Sequence, residues 1–255
     1  MWKKLKRQGG KKESFFELSS AEKRMLLLKS MLVILGLDYF FYQSIWALAP
    51  LLGVGAVYYE MERHAIYQQK KEAAREQFKE LLLLASVGQK AGYSAENAFL
   101  SSYSDMKALF GEKSSICRMI NILKSGKENN RAFFQMWSQM GSQMEIEEIM
   151  EFAQVYEIAH KSSGNIAAIM EKTAEIIIHR IETEKEIAVL LSGKRLEQKI
   201  MNAMPFLIML YISITSPGYF RGLYHSLPGV VIMSICLIFY LIAYGLSVRI
   251  SSIEI

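Results

Sequence analysis

The sequence predicts an all-α integral membrane protein, a cytosolic antiparallel helical bundle set between two transmembrane helical hairpins. Three observations carry that prediction. Apolar residues concentrate in two blocks, Met25–Tyr59 and Met201–Val248, with a charged middle between them. All four prolines (Pro50, Pro205, Pro217, Pro228) fall in or beside those blocks, and Met61–Met204 contains none. A run that long without proline, rich in Glu, Lys, Ala, Leu, Ile and Met, favours helix throughout. Charge is also divided: residues 1–30 hold nine Lys/Arg against Glu13, Glu17 and Glu22, net +6, whereas residues 60–200 hold nineteen against twenty acids. The whole-chain net charge of +5 therefore belongs to the N-terminal arm. That arm is a topology signal first and a surface for acidic lipid headgroups second. The near-neutral middle offers no nucleic-acid surface.

Residues 1–24 form the basic cytosolic arm. The one A-x-A candidate for signal cleavage, Ala47-Leu48-Ala49, is followed by Pro50, which disfavours a cleaved leader. Ser19 with Glu22 three residues on is a capping-box pattern, so a helix starts near Ser20. Residues 25–60 are too long for one span and short for two, since about twenty residues cross the hydrocarbon core. Charge decides between them. A single span would put the basic arm and the cytosolic-looking middle on opposite sides of the membrane. A hairpin, Met25–Phe41 and Ile45–Glu60 turning at Tyr42-Gln43-Ser44, keeps both inside. Asp38 then lies near the outer end, and Gly53 and Gly55 allow the two helices to approach closely.

Residues 61–200 read as five or six helices punctuated by single glycines: Arg63–Lys90 before Gly92, Ser94–Tyr103, Lys113–Lys124 before Gly126, Glu128–Met140 before Gly141, and Glu145–Ser162 before Gly164. The last and longest begins at Gly164. Ile166, Met170, Ala174, Ile177, Ile181, Ala188 and Leu191 recur on it at spacings of three, four or seven, one apolar stripe. The Ile166–Ile200 part alone is roughly 50 Å long. From Ala203 the chain turns apolar, and Pro205 marks the entry into lipid, where loss of one backbone bond favours a kink. Residues 201–250 form the second hairpin, with Arg221 and His225 in the outer loop and Arg249 at the inner end. Cys117 and Cys236 sit in settings too different to pair, so the middle faces a reducing cytosol.

The order of these pieces resembles the type II secretion system F-domain family, in particular its tight-adherence (Flp-type) pilus platform proteins. The residues that carry the resemblance are LLLLASVGQKAGYSAENAF, Gly126 in LKSGKENNRAF, Gly164-Asn165-Ile166, Glu182–Ile187, Gly193-Lys194-Arg195, Ala203-Met204-Pro205 and Ser216–Phe220. One F domain is present where the general secretion platforms have two in tandem, and Ser163-Gly164 stands where the family commonly shows two glycines. The resemblance implies a multi-pass protein of the bacterial inner membrane with both termini cytoplasmic. It implies no enzymatic activity, and as partners a cytosolic secretion or pilus-assembly ATPase, a paralogous F-domain platform protein, pilin or pseudopilin, and membrane lipid, in an oligomer. A membrane-bound enzyme or signalling protein with a cytosolic helical domain is the alternative reading; a small transporter is disfavoured by the near absence of ionisable groups in the spans.

Glu171, Glu175, Glu182 and Glu186 lie within about 60° of one another around the long helix, an acidic stripe for a basic partner or a solvated face relieved by Lys172 and Lys185. Lys194 and Arg195, just before the membrane, mark the cytosolic interface or touch the ATPase. Gly193-Lys194-Arg195 lacks the length and context of a phosphate loop. Glu175, His179 and Glu182 share a helix face, but no second helix offers a matching Glu-x-x-His, so neither a metal nor another cofactor is expected. No catalytic set is visible. Met136, Met140, Met144 and Met150 read as bundle core rather than an adaptable groove. Gly92, Gly126, Gly164, Gly193 and Pro205 are the expected structural positions.

Overall fold

In the computed structural model the described residues are 16, 18–161, 166–216, 218–224 and 226–251. They form helices and no strand, an all-α fold. In chain order these are α1 (Ser20–Phe41), a 3-10 turn (Ile45–Ala47), α2 (Leu48–Lys90), α3 (Ala95–Ser101), α4 (Tyr103–Phe110), α5 (Ser115–Glu128), α6 (Phe133–Met144), α7 (Glu147–Lys161), α8 (Ile166–Thr215), α9 (Arg221–Tyr224) and α10 (Leu227–Ser251). Two compact units result. One holds Phe16 and Ile66–Lys185, the other Leu18–Ala65 with the chain from Glu186 onward. Helices α2 and α8, 43 and 50 residues long, each contribute to both.

The first unit is a bundle around an aromatic centre. Trp137 of α6 is fully buried and meets Phe78 of α2, Phe99 of α3 and Phe152 of α7 at ring-centroid separations of 5.4, 5.4 and 5.7 Å. Such pairs contribute about 0.5–1.5 kcal/mol each beyond their buried area. The predicted stripe of the long helix enters this core at Met170, Ala174, Ile177 and Ile181 and stops there, for Ala188 and Leu191 are exposed. Met136, Met140 and Met144 of the expected core series are core, whereas Met150 is only half-buried.

The caps explain where the helices begin. The Glu22 carboxylate accepts from the Ser19 N–H at 2.8 Å, and the Ser94 and Ser114 hydroxyls accept from the Asn97 and Cys117 N–H groups at 3.4 Å. Gly92, at φ +93°, closes α2 in the left-handed conformation that glycine adopts without strain.

Two other glycines do not end helices. Helix α5 runs through Gly126 to Glu128, and α6 runs through Gly141 to Met144. A Cβ on Gly126 would lie 1.9 Å from Met136 Sδ, and one on Gly141 would lie 2.7 Å from Met150 Cγ and 3.0 Å from the Met150 backbone N. Both glycines admit a neighbouring helix. The turns instead use Asn130 (φ +54°) and Glu145 (φ +57°), so Glu145 closes α6 and does not open α7. The expected helix Ser94–Tyr103 is α3, which ends at Ser101; Ser102, whose hydroxyl donates back to the Ala98 carbonyl at 2.8 Å, then leads into α4, a helix not expected from the sequence. Gly193 is interior to α8, with open space where a side chain would be. Gly164 lies outside the described residues, and α8 is helical on both sides of Pro205.

The second unit packs α1, the first part of α2, the last part of α8, α9 and α10 around a small interior of Leu37, Phe41, Leu51, Tyr224, Met233 and Leu237. The chain turns at Tyr42–Ser44, with Gln43 at φ +47°. Gly55 lets α1 and α2 close up, since its Cβ would fall 2.3 Å from Ile34 Cδ1; Gly53 faces open space. Two interior tyrosines are paired with backbone, while Asp38 Oδ1 is buried without a hydrogen-bond partner. Tyr224 Oη donates to the Phe40 carbonyl at 2.9 Å and Tyr240 Oη to the Asn202 carbonyl at 3.1 Å. Outward, the unit presents apolar side chains: Leu28, Leu32, Met201, Tyr211, Ile214 and Phe239 are all more than two-thirds exposed. Among the described residues, α10 alone, over Leu227–Val248, is long and apolar enough to cross a membrane. The apolar run of α1 is interrupted by Lys29 and Asp38, and that of α8 begins only at Met201.

The two kinds of glycine separate in a stability measurement. Gly126→Ala is expected to destabilise by about 1–3 kcal/mol through overpacking against Met136. Gly193→Ala is expected to stabilise by about 0.8–1 kcal/mol as an ordinary helix-interior replacement. Thermal unfolding followed by circular dichroism reads both; a stabilised Gly126→Ala would contradict the close packing.

Candidate functional site

The charged residues nominated from the sequence all lie on α8, and their surroundings follow from which side of the stripe each occupies. Met170, Ala174, Ile177 and Ile181 face the core, so positions one or two residues away flank it and meet α2 and α7. Along that seam α8 and α2 exchange charges. Glu171 pairs with Lys90 at 2.8 Å, Glu182 with Lys79 at 3.6 Å, Glu184 with Arg75 at 2.6 Å, and Lys185 with Glu76 at 3.2 Å. Arg180 binds Glu151 of α7 at 2.8 Å.

Arg75 is the centre of this seam. Its side chain is 12% exposed and its guanidinium donates to Glu148, Glu184 and Glu72, with the Nε–Glu148 bond at 2.9 Å. Glu148, whose side chain is 6% exposed, is the one fully buried carboxylate among the described residues. Burial works against the Arg75 charge, but its hydrogen bonds to Glu148 and Glu184 and the negative charge of Glu148 and Glu72 outweigh it and hold its pKa above the usual range. Lys79 shows the same balance: burial lowers its pKa, while Glu80, then Glu76 and Glu182, more than restore it. Lys90 is raised by its bond to Glu171 and Arg180 by its bond to Glu151.

The nominated residues thus divide. Glu171 and Glu182 are joined to α2, Glu175 lies 3.4 Å from Lys172 on its own helix, and Lys194 lies 3.0 Å from Glu197. Glu186 and Arg195 are exposed. Lys185 reaches Glu76 of α2. Sequence reasoning missed Arg75, Glu148 and Glu184. A signal for the first two existed: Arg75 shares a helical face with Phe78 and Leu82, and Glu148 one with Phe152 and Tyr156, so each charge sits on an apolar stripe. Among the described residues no three His, Cys, Asp or Glu side chains gather to hold a metal ion, Glu175, His179 and Glu182 included. What the seam does chemically is hold three helices in one register.

Comparison with known proteins finds no match to a family model, a curated protein or a solved structure.

Removing one partner of a buried pair leaves the other uncompensated. Arg75→Met is therefore expected to cost about 3–5 kcal/mol. The double variant Arg75→Met/Glu148→Met should recover much of that loss, and Lys90→Ala at the exposed end should change nothing measurable. Denaturant titration of the full chain checks all three; an innocuous Arg75→Met would remove the seam from the stability account.

Proposed function

We propose that this chain is an inner-membrane platform protein of a tight-adherence (Flp-type) pilus or type II secretion machine, coupling a cytosolic hexameric ATPase to the extraction and assembly of pilin or pseudopilin subunits. The observation that carries the reading is the opposite dressing of the two units. One buries its apolar residues and surrounds them with ion pairs; the other turns large apolar side chains outward on α1, α2, α8 and α10. Outward apolar surface of that extent fits lipid tails. In this reading four spans form, from α1, the start of α2, the end of α8 and α10, with both termini cytoplasmic. The basic residues Lys194, Arg195 and Lys199 lie at the inner interface. Continuous helices α2 and α8 suit a protein that carries motion from a soluble motor to the bilayer, and the order of motifs resembles the F-domain platforms. Exposed Glu175, Glu186, Lys194 and Arg195 are the side chains left for partners.

Three experiments test this. In a Cys236→Ser background, cysteines at Gln43 and Gly218 should react with a membrane-impermeant maleimide from outside, and one at Lys113 only after permeabilisation; the reverse pattern would overturn the topology. A tagged chain solubilised from native cells should bring down a secretion-type ATPase and a second platform protein, as read by mass spectrometry. Ala188→Pro, which costs about 3 kcal/mol or more inside a helix, should abolish fibre assembly while the chain still reaches the membrane. Normal fibres from that variant would end the mechanical part of the proposal.

A further inference from the structure

Every helix of the bundle unit carries ionisable residues except α6, whose sequence FFQMWSQMGSQM has none. Its inner positions, Phe133, Met136, Trp137, Met140 and Met144, belong to the core. Its outer positions, Gln135, Ser138, Gln139, Ser142 and Gln143, are exposed and form a ridge of amides and hydroxyls. A hollow lies on each side of that ridge. The one toward α7, about 290 Å³, is lined by Phe134, Ser138 and Gln154; the one toward α5, about 390 Å³, by Asn121, Ile122 and Ser125. Gln139 borders both. Apolar side chains stand exposed beyond the ridge on either helix, Ile122 on α5 at 41% and Ile158 on α7 at 66%. The charges nearest on the α7 side, Glu157 and Lys161, neutralise each other at 2.6 Å, and Arg131 stands at the rim of the α5 hollow.

We propose that the α6 face is the contact between two copies of this chain, packed about a two-fold axis with each α6 ridge seated in a hollow of the other copy. A two-fold axis sets each residue near it opposite its own copy. A charged side chain there meets its own sign. An amide or hydroxyl is donor and acceptor at once and pairs with itself. Around the bundle unit that condition is met on α6 and on no other helix. A ridge flanked by hollows is also the shape that helix-to-helix packing requires, ridge into groove. The exposed Ile122 and Ile158 add apolar area at the edge of the contact, where charged residues would otherwise need to be desolvated.

Disulfide trapping tests this on the full chain, in cell extracts that retain the host's membranes and in a Cys236→Ser background, since Cys236 is exposed and Cys117 buried. Ser138→Cys and Ser142→Cys, once oxidised, should each shift the chain to twice its 29.1 kDa mass, and Lys172→Cys on the charged face of α8 should leave it at the single mass. Adding Gln139→Glu or Gln139→Lys to Ser138→Cys should abolish the doubled band, and mixing the two charge variants should restore it. Circular dichroism confirms that each variant is folded. Doubling that is equal at Lys172→Cys, absent from both serine positions, or unaffected by the Gln139 charges would overturn the proposal. An adduct of any other mass would do so as well, by showing that a different protein occupies the face.

Discussion

The bundle unit depends on the guanidinium of Arg75 finding its carboxylates. Taking a guanidinium and the Glu148 carboxylate out of water costs several kcal/mol per ion, and good geometry must offset that cost. Here the offset requires three helices at once. Arg75 comes from α2, Glu148 from α7 and Glu184 from α8. A shift of one residue along any of them would turn its charged side chain by about 100° and leave buried charge unpaired. An apolar core of methionine and isoleucine tolerates sliding, because those side chains refill gaps. The ion cluster does not. It adds a charge constraint on register to the packing around Trp137, while the outer pairs, Lys90–Glu171 and Arg180–Glu151, add little because water already screens them.

How much of this was legible follows the same physics. Features encoded within one turn of chain could be read directly: the start at Ser20 from Ser19 and Glu22, the end of α2 at Gly92, the turn at Tyr42–Ser44, and the core stripe from Met170 to Ile181. Features that need a second helix could not. Gly126 and Gly141 are identical in sequence terms to a helix-ending glycine, and only the approach of Met136 and Met150 reveals that their missing side chains make room. Asn130 and Glu145 then take the turns, in a backbone region that glycine favours and these residues occupy less readily. The acidic stripe shows the same limit. Periodicity placed Glu171 and Glu182 on one face of α8, but whether a carboxylate faces a partner or solvent depends on what α2 brings opposite.

The second unit inverts the rule that governs the first. Its interior is small and several of its polar groups are tied to others in the unit: Tyr224 to the Phe40 carbonyl, Tyr42 to Ser234, Gln198 to Ser247, with Asp38 Oδ1 left buried and unpaired. Its exterior is apolar. Such an arrangement is costly in water, since exposed Leu, Ile and Phe lose the transfer free energy that burial gives, about 25 cal/mol for each Å². In hydrocarbon the balance reverses, and the internal tyrosine and glutamine bonds become the groups that must be satisfied. Sequence hydropathy sees only the average of the two faces. Among the described residues α10 alone is long and apolar enough to cross a membrane; Lys29 and Asp38 interrupt the apolar run of α1, with Lys29 held at 2.6 Å by Glu62 of α2.

Helices α6 and α8 divide the surface chemistry of the bundle unit between them. The α8 side is covered by charges that mostly answer one another within the chain, so a partner docking there must compete with an existing pair or use the residues left over. The α6 side has no charge to answer. A partner contacting the α6 ridge itself displaces water from amides and hydroxyls, a smaller desolvation penalty than for ions, and regains hydrogen bonds of the same kind; the charges of Glu157 and Arg131 lie in the hollows to either side. Uncharged polar surface of this type selects weakly by sign and strongly by shape. The shape on offer, one ridge between two hollows, is complementary to itself. On the readings proposed above, contacts between copies would fall on α6 and contacts with other proteins on α8, and neither would need to disturb the Arg75 cluster.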